Sequence, residues 1–419
     1  MTTTSAAAAD PAARVPGYSW YALALLTAVY VLNFLDRTLI YILFTPIKAE
    51  MKFTDLQLAL LGTLSFVIFY TLLGIPFGLL ADRFSRKTII GAGLAVWSLF
   101  SGLTGFADSF WSIFFCRVMV GVGEATLGPA AISLLSDYFP PRMRAMVNSI
   151  YSSGIAIGGG MAYLLGGWIG TTYGWRWAFY LLGFPGLLLA ALVFLLREQP
   201  RGRADAGAAP AASNFGKLLG SPAYLFLCFG YALIGLASNN LGIWGPAFFA
   251  RVHNVSLQTI GLAAFWISIL VGIPSMVFGG WFSDRATRVL PGGRMAFTSV
   301  IALISVPLWL VLLFVDNLGI VVAANVLVYA LAILWVGPAT ADVAELAAPH
   351  LRGLAIGIFF AIVNIFAYAL GSLVIGQLSD ILGVATNPAR MRFSLLLCPA
   401  ACLLGALFLY LGSKAKRPA

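Results

Sequence analysis

Long apolar runs recur along the chain, separated by short punctuation of charged residues, glycine and proline. Twelve can be read, at 18–44, 56–80, 88–106, 110–136, 145–170, 177–196, 222–250, 257–282, 295–314, 317–346, 353–379 and 393–413. Each is too long for a strand. Each is long enough to cross a hydrocarbon layer about 30 Å thick as a helix, which takes roughly 20 residues. The pattern predicts an all-α membrane protein of twelve transmembrane helices. The longest hydrophilic break, 197–220, follows the sixth run. It predicts an N-terminal tail (1–17), a six-helix bundle (18–196), a linker (197–220), a second six-helix bundle (221–413) and a C-terminal tail (414–419).

An internal repeat supports the six-plus-six division. The second run ends in Gly78-Leu-Leu-Ala-Asp82-Arg83-Phe-Ser-Arg86-Lys87. The eighth ends in Gly280-Trp-Phe-Ser-Asp284-Arg285-Ala-Thr-Arg288, at a constant offset of 202 residues. Farther on, Pro129 precedes Asp137 and Arg144, and Pro338 precedes Glu345 and Arg352, with an acid-to-arginine spacing of seven in both halves. Two parallel, pseudo-symmetric bundles with a cleft between them are an architecture of secondary transporters.

Composition narrows the class. The 419 residues are 61% hydrophobic and 10% charged, with a mean hydropathy of +0.94. Soluble domains carry about 25% charged residues, so a soluble enzyme is excluded. The net charge of +10 raises the question of nucleic acid. The placement of the charges answers it. Of 25 Lys and Arg, 17 fall on the side of the chain ends, six on the other side, and two (Arg37 and Arg117) within runs. By the positive-inside rule both termini are cytoplasmic, and the basic balance reflects topology. No nucleic-acid partner is expected. Cys116, Cys228, Cys398 and Cys402 all fall in apolar runs and read as buried thiols. No cysteine–histidine set has metal-ligand spacing, and no Gly-x-x-x-x-Gly-Lys-Ser/Thr occurs, so neither metal nor cofactor is expected and direct ATP hydrolysis is disfavoured. Met1 to Pro16 lacks the basic start and apolar middle of a cleavable signal peptide, so the first span is expected to direct insertion.

The Gly78–Lys87 loop resembles the loop between helices 2 and 3 of the major facilitator superfamily. Arg117-Val-Met-Val-Gly121-Val-Gly123-Glu124, followed by Asp137-Tyr-Phe-Pro-Pro-Arg142-Met-Arg144, and Asn33-Phe-Leu-Asp36-Arg37 resemble its Spinster-like branch. That branch includes transporters of sphingolipids and lysophospholipids, and the short tails resemble those of a bacterial homologue. The resemblance implies alternating-access transport of an amphipathic lipid rather than an enzymatic activity. It also implies a bacterial inner-membrane location. A monomer is expected, with the bilayer, an amphipathic substrate and protons as partners. A proton-coupled exporter of drug-like or other small organic molecules is the alternative on the same fold. A channel or receptor without a transport cycle is the rival class, disfavoured by gate-like motifs in both halves.

Asp36, Arg37, Arg117 and Glu124 are the candidate proton-coupling and substrate residues. Ionisable groups at such depth are costly and normally face a cavity or a partner. Arg117 and Glu124 are seven residues apart, so they share one helical face to within about 20°. Burial raises a carboxylate's pKa and a neighbouring arginine lowers it, so moving an arginine away can load a proton. If the substrate carries a phosphate or carboxylate, Arg117 is further expected to grip it with both prongs of its guanidinium; the alternative is that Arg117 only tunes the pKa of Glu124. Asn33, Phe66, Tyr70, Tyr231, Asn239, Asn240, Trp244, Trp335, Asn364 and Tyr368 are expected to line the cavity. By the resemblance, Asp82, Arg83, Arg86 and Asp137 form a cytoplasmic gate, with Asp82 near the start of the eleventh span and Arg83 reaching Asp137. Asp284, Arg285, Arg288 and Glu345 are the second-half counterparts. Glycines in spans 5 and 11 are expected to let helices approach closely.

Overall fold

The computed structural model describes residues 15–200, 220–347 and 351–415; most of the expected linker, both tail ends and His350 lie outside the described residues. Eleven helical stretches among the described residues are long and apolar enough to cross a membrane. They are span 1 (Gly17–Ile42), span 2 (Asp55–Ala81), span 3 (Arg86–Phe106), span 4 (Phe110–Tyr138), span 6 (Trp175–Phe194), span 7 (Pro222–Val252), span 8 (Leu257–Val289), span 9 (Gly293–Phe314), span 10 (Leu318–Leu346), span 11 (Leu354–Ile381) and span 12 (Pro388–Ala415). Span 5 completes the twelve. It is built from Arg144–Ser152 and the glycine-rich Gly154–Thr172, which packs on span 1 and on the start of span 8. All four cysteines are buried free thiols.

Local chemistry sets where several helices begin. Thr54 and Gln57 form a reciprocal capping box at the head of span 2, and Ser109 with Ser112 does the same for span 4. Ser221, Ser256 and Asn317 cap spans 7, 8 and 10 with a single side-chain bond each.

Spans 4 and 10 break at matching places. Span 4 is helical to Glu124 and resumes at Leu127; span 10 is helical to Ile333 and resumes at Val336. The breaks lie just ahead of Pro129 and Pro338. Proline has no N–H to donate, and its ring collides with the carbonyl four residues earlier, at Ala125 and Leu334. The half-turn freed in span 4 is partly satisfied by Thr126, whose hydroxyl donates to the Gly123 carbonyl at 2.9 Å. Glu124 is thereby the last residue of a helix that stops midway along span 4.

Span 2 packs against span 11, and span 5 against span 8. These two seams join the halves, most tightly on the face opposite the chain ends (the distal face). A Cβ at Gly376 in span 11 would lie 2.7 Å from the Asp55 carbonyl, so glycine is required for that approach. In both seams helices depart from the α repeat. Residues Leu60–Leu64 in span 2, Ser268–Gly272 in span 8 and Asn364–Leu370 in span 11 are π-helical, one residue wider per turn.

Candidate functional site

The four candidate charges converge between spans 1, 2, 3 and 4, but not in the expected pairs. Adjacent residues on a helix point about 100° apart, so Asp36 and Arg37 face different neighbours. Asp36 is fully buried against span 3 and accepts a 2.7 Å hydrogen bond from the Ser101 hydroxyl. Arg37 faces span 4. Its Nε and Nη2 donate to Glu124 Oε2 at 3.2 and 2.8 Å. Arg37 remains 14% exposed while the Glu124 side chain is fully covered. Three rings surround the Arg37 guanidinium, with centroids at 4.9 Å (Phe34), 4.6 Å (Phe66) and 4.6 Å (Tyr70). Such cation–π contacts strengthen when water is excluded.

Arg117 corrects the helical-phase argument. It shares a face with Glu124 in an unbroken helix, yet it does not pair with it. Its Nε donates to the Leu61 carbonyl at 3.3 Å and its Nη1 to the Asp36 carbonyl at 3.4 Å. Arg117 is only 1% exposed. In this state it offers no open fork to a headgroup; Arg37 is the guanidinium with an accessible side. Gly121 makes this packing possible, since a Cβ there would meet the Phe66 carbonyl at 2.7 Å. Glu124 Oε1, Asp36 Oδ2 and Arg117 Nη2 are buried and, among the described residues, accept or donate no hydrogen bond of ordinary length. Unmet buried polar atoms of this kind cost free energy and set this cluster apart from ordinary helix packing.

The expected cavity-lining residues divide. Tyr70, Asn239, Asn364 and Tyr368 are partly exposed. Asn33 and Phe66 are buried around the ion pair. Tyr231, Asn240 and Trp244 are fully buried and bonded, so they hold helices together instead of lining open space. Tyr231 donates to Asp342 at 2.8 Å, Asn240 to the Leu236 and Ala367 carbonyls, and Trp244 to the Ser372 hydroxyl at 3.1 Å. Trp335 is nearly buried and donates to Ser238 at 3.2 Å. Asp342, a buried acid that sequence reasoning passed over, sits one helical turn from the exposed Glu345. A separate cavity of about 180 Å³ lies at the distal ends of spans 7, 8 and 10, touched by Tyr163 of span 5. Its walls are apolar apart from Tyr163, Thr259, Ser268, Asn325 and Tyr329.

At the face carrying the chain ends, the gate residues also pair differently from expectation. Asp137 is held by Arg86, not by Arg83, which is exposed. Arg86 is itself buried. It also donates to Glu198 at 2.9 Å, to the Ser133 hydroxyl at 3.1 Å and to the Gln199 carbonyl at 2.7 Å. Partial burial opposes the Glu198 charge, but bonds from Arg86, Ser85 and the Lys87 N–H outweigh it and hold this carboxyl below the ordinary glutamate range. The Asp82 side chain lies outside the described residues. In the second half Asp284 and Glu345 are both held by Arg294, at 2.8 and 3.1 Å, while Arg285 and Arg288 are exposed. Replacing Arg86 by Ala strands Asp137 and opens the joint between spans 3, 4 and 6. We expect a loss of about 3–5 kcal/mol, the usual cost of breaking a buried pair, read as a lower thermal midpoint of the purified protein. Lys in its place should recover only part of it, because an ammonium cannot span all four partners.

The distal face carries a cluster that the sequence did not reveal. Asp55, fully buried at the head of span 2, accepts from Lys48 at 2.6 Å and from Arg251 of the second half at 2.8 Å. Asp380, at the end of span 11, accepts the backbone N–H groups of Asp55 and Leu56 at 2.8 and 2.9 Å. An acid from one half therefore caps a helix of the other, where free N–H groups and the helix dipole favour it. Tyr163 of span 5 adds a 2.8 Å bond to the Gly242 carbonyl of span 7.

Residues 26–372 match the family profile described as Major Facilitator Superfamily. The chain belongs to the major facilitator superfamily. It is a membrane transporter, not an enzyme. An MFS-type efflux pump of Mycolicibacterium smegmatis is 28% identical, over 95% of this chain and 93% of the pump. Protein spinster homolog 3 of Danio rerio is 26% identical, over 94% of this chain and 85% of that protein. Among solved structures, the chain is similar to a bacterial homologue of the human lysosomal transporter Spinster in an inward-facing, unoccupied conformation. That likeness has a TM-score of 0.85 and 26% identity, and covers 96% of this chain and 99% of the other. Within the superfamily this transporter is thus Spinster-like.

Proposed function

We propose that this transporter carries an amphipathic lipid, a lysophospholipid or sphingoid lipid, by alternating access coupled to protons. The observation that carries the reading is the Arg37–Glu124 pair. It is a buried carboxylate bonded to a guanidinium that keeps one accessible side, within an aromatic cage. An anionic headgroup arriving at Arg37 competes with Glu124 for the same donors. A displaced, desolvated Glu124 is then neutralised most cheaply by a proton. The apolar cavity beside spans 7, 8 and 10 offers a dry surface suited to an acyl chain. The lipid class itself is what the resemblance to the Spinster-like branch implies.

In this reading the face with the chain ends is cytoplasmic, since it carries 17 of 25 Lys and Arg residues, and the membrane is the bacterial inner membrane. The structure's distal seal then corresponds to a form whose site communicates with the cytoplasm. Residues 18–196 and 221–413 act as the two moving bundles. The efflux-pump relative favours a second reading, export of small organic molecules.

Competition binding separates the two. Lysophosphatidic acid, lysophosphatidylcholine, sphingosine and a panel of cationic drugs are titrated against purified protein, with tryptophan quenching as the readout. The lipid reading expects saturable binding of at least one lipid of the panel, with the phosphate-bearing lysolipids weakened in Arg37→Ala and the cationic sphingosine not. Saturable binding confined to the drugs would replace it with the efflux reading.

A further inference from the structure

We propose that the π turns of spans 2 and 11 are hinges of the conformational cycle, and that Tyr41, Arg117 and Asn240 are positioning residues that hold them in the distally sealed state. A π turn carries a cost in hydrogen bonding. Widening the helix by one residue moves carbonyls out of line with their usual donors, and in a membrane no water replaces them. In span 2 those carbonyls are met by side chains. Thr63 donates to Ala59 at 2.7 Å and Ser65 to Leu61 at 2.9 Å, both from within the helix. The remaining donors are foreign: Tyr41 of span 1 reaches Gly62 at 3.2 Å, and Arg117 of span 4 reaches Leu61. In span 11 the Ala367 carbonyl is met by Asn240 of span 7 at 3.1 Å. The two π turns pack against each other across the seam between the halves.

Spans 1, 4 and 7 thus hold a wide conformation in the two helices whose distal ends are clamped by Asp55 and Asp380. Relaxation of one π turn to α removes one residue from the turn. The rest of the span would rotate by about 100° and shift by about 1.5 Å along its axis. Such a step in span 2 would swing Gly78–Lys87 relative to the clamped end. Arg117 is bonded both to this hinge and to the Asp36 carbonyl, so it joins the charged cluster to the moving helix. The inference deepens the alternating-access reading but does not depend on the substrate.

The test reads conformation alone, in nanodiscs without substrate. Spin labels at Lys52 and Ala385, exposed on the distal loops of the two halves, report whether that face is sealed. Tyr41→Phe deletes one hydroxyl from a buried ring. Loss of a single neutral hydrogen bond should lower the ratio of sealed to open forms by about three- to tenfold. Deleting Gly62, which restores an α register, should move the population the same way and further. Distance distributions identical to wild type in Tyr41→Phe would overturn the proposal, whether or not the deletion variant folds. A shift in Tyr41→Phe with no lipid transport by the wild type would leave the hinge standing and sink the lipid reading.

Discussion

Glu124→Gln should reduce pH-driven transport to background while leaving a folded, monodisperse protein. The amide keeps the shape of the carboxylate and still offers an acceptor to Arg37. It cannot trade a proton for a guanidinium, and that exchange is the proposed coupling step. Arg37 is left without a counter-charge in a desolvated place, at a cost of about 3–5 kcal/mol when a buried pair is broken. The aromatic cage and the accessible side of Arg37 soften that cost, which is why the fold should survive. Asp36→Asn should impair coupling less, because its partner in this state is the neutral Ser101. Flux against pH for wild type and both variants checks this. Full pH-dependent flux in Glu124→Gln would remove the pair from the coupling mechanism.

The second large effect is expected at the distal clamp. Asp55 serves Lys48 and Arg251 at once, and its own backbone is capped by Asp380. The Arg251 and Asp380 contacts join the halves, so they exist only while the distal face is sealed. Asp55→Ala removes the shared acceptor and leaves two cations without it. The Lys48 bond lies within one half and is lost from both forms, so the penalty specific to the sealed form comes from Arg251: about 3 kcal/mol, or roughly a hundredfold change in the sealed-to-open ratio. The readout is labelling of a cysteine at Asn239, partly exposed near the middle of span 7, by a membrane-impermeant maleimide applied at the distal face. Background is low, because the four native thiols are buried. Labelling should rise from near zero to rapid in Asp55→Ala. Unchanged protection would show that the clamp is ornamental.

Much of this architecture is legible in the sequence, because it rests on local properties. Apolar run length marks the spans, and the expected 18–44 and 56–80 lie close to the observed Gly17–Ile42 and Asp55–Ala81. Pro129 and Pro338 mark the two breaks, and the loop repeats mark the two halves. Depth alone identifies Asp36, Arg37, Arg117 and Glu124. What sequence could not supply is the choice of partner. Helical phase placed Arg117 beside Glu124, but Arg37 lies 87 residues away in sequence and takes the bond. The family resemblance implied Arg83 as the partner of Asp137, yet Arg86 is the residue turned inward. The aromatic and amide residues of span 7 looked like a cavity wall because polarity in a membrane suggests exposure. Asn240 and Trp244 spend that polarity on neighbouring helices instead.

The distal clamp was hidden for the same reason. Lys48 and Arg251 count only as topology signals in the sequence, and Asp55 carries no motif that would single it out. Nothing local shows that Asp55 meets Arg251 across 196 positions of sequence. The π turns leave no local signal either. They become visible only when carbonyls of one helix are found accepting from side chains of another.

In the proposed cycle Glu124 exchanges Arg37 for a proton as an amphipathic lipid moves. Simultaneous recording of lysolipid flux and lumenal pH in proteoliposomes, with a pH-sensitive dye trapped inside, tests it most directly. The account predicts that lipid movement and proton movement rise and fall together in wild type, and that both are lost in Glu124→Gln. Lysolipid flux at the wild-type rate with no accompanying proton movement, unchanged by an imposed pH gradient, would contradict it.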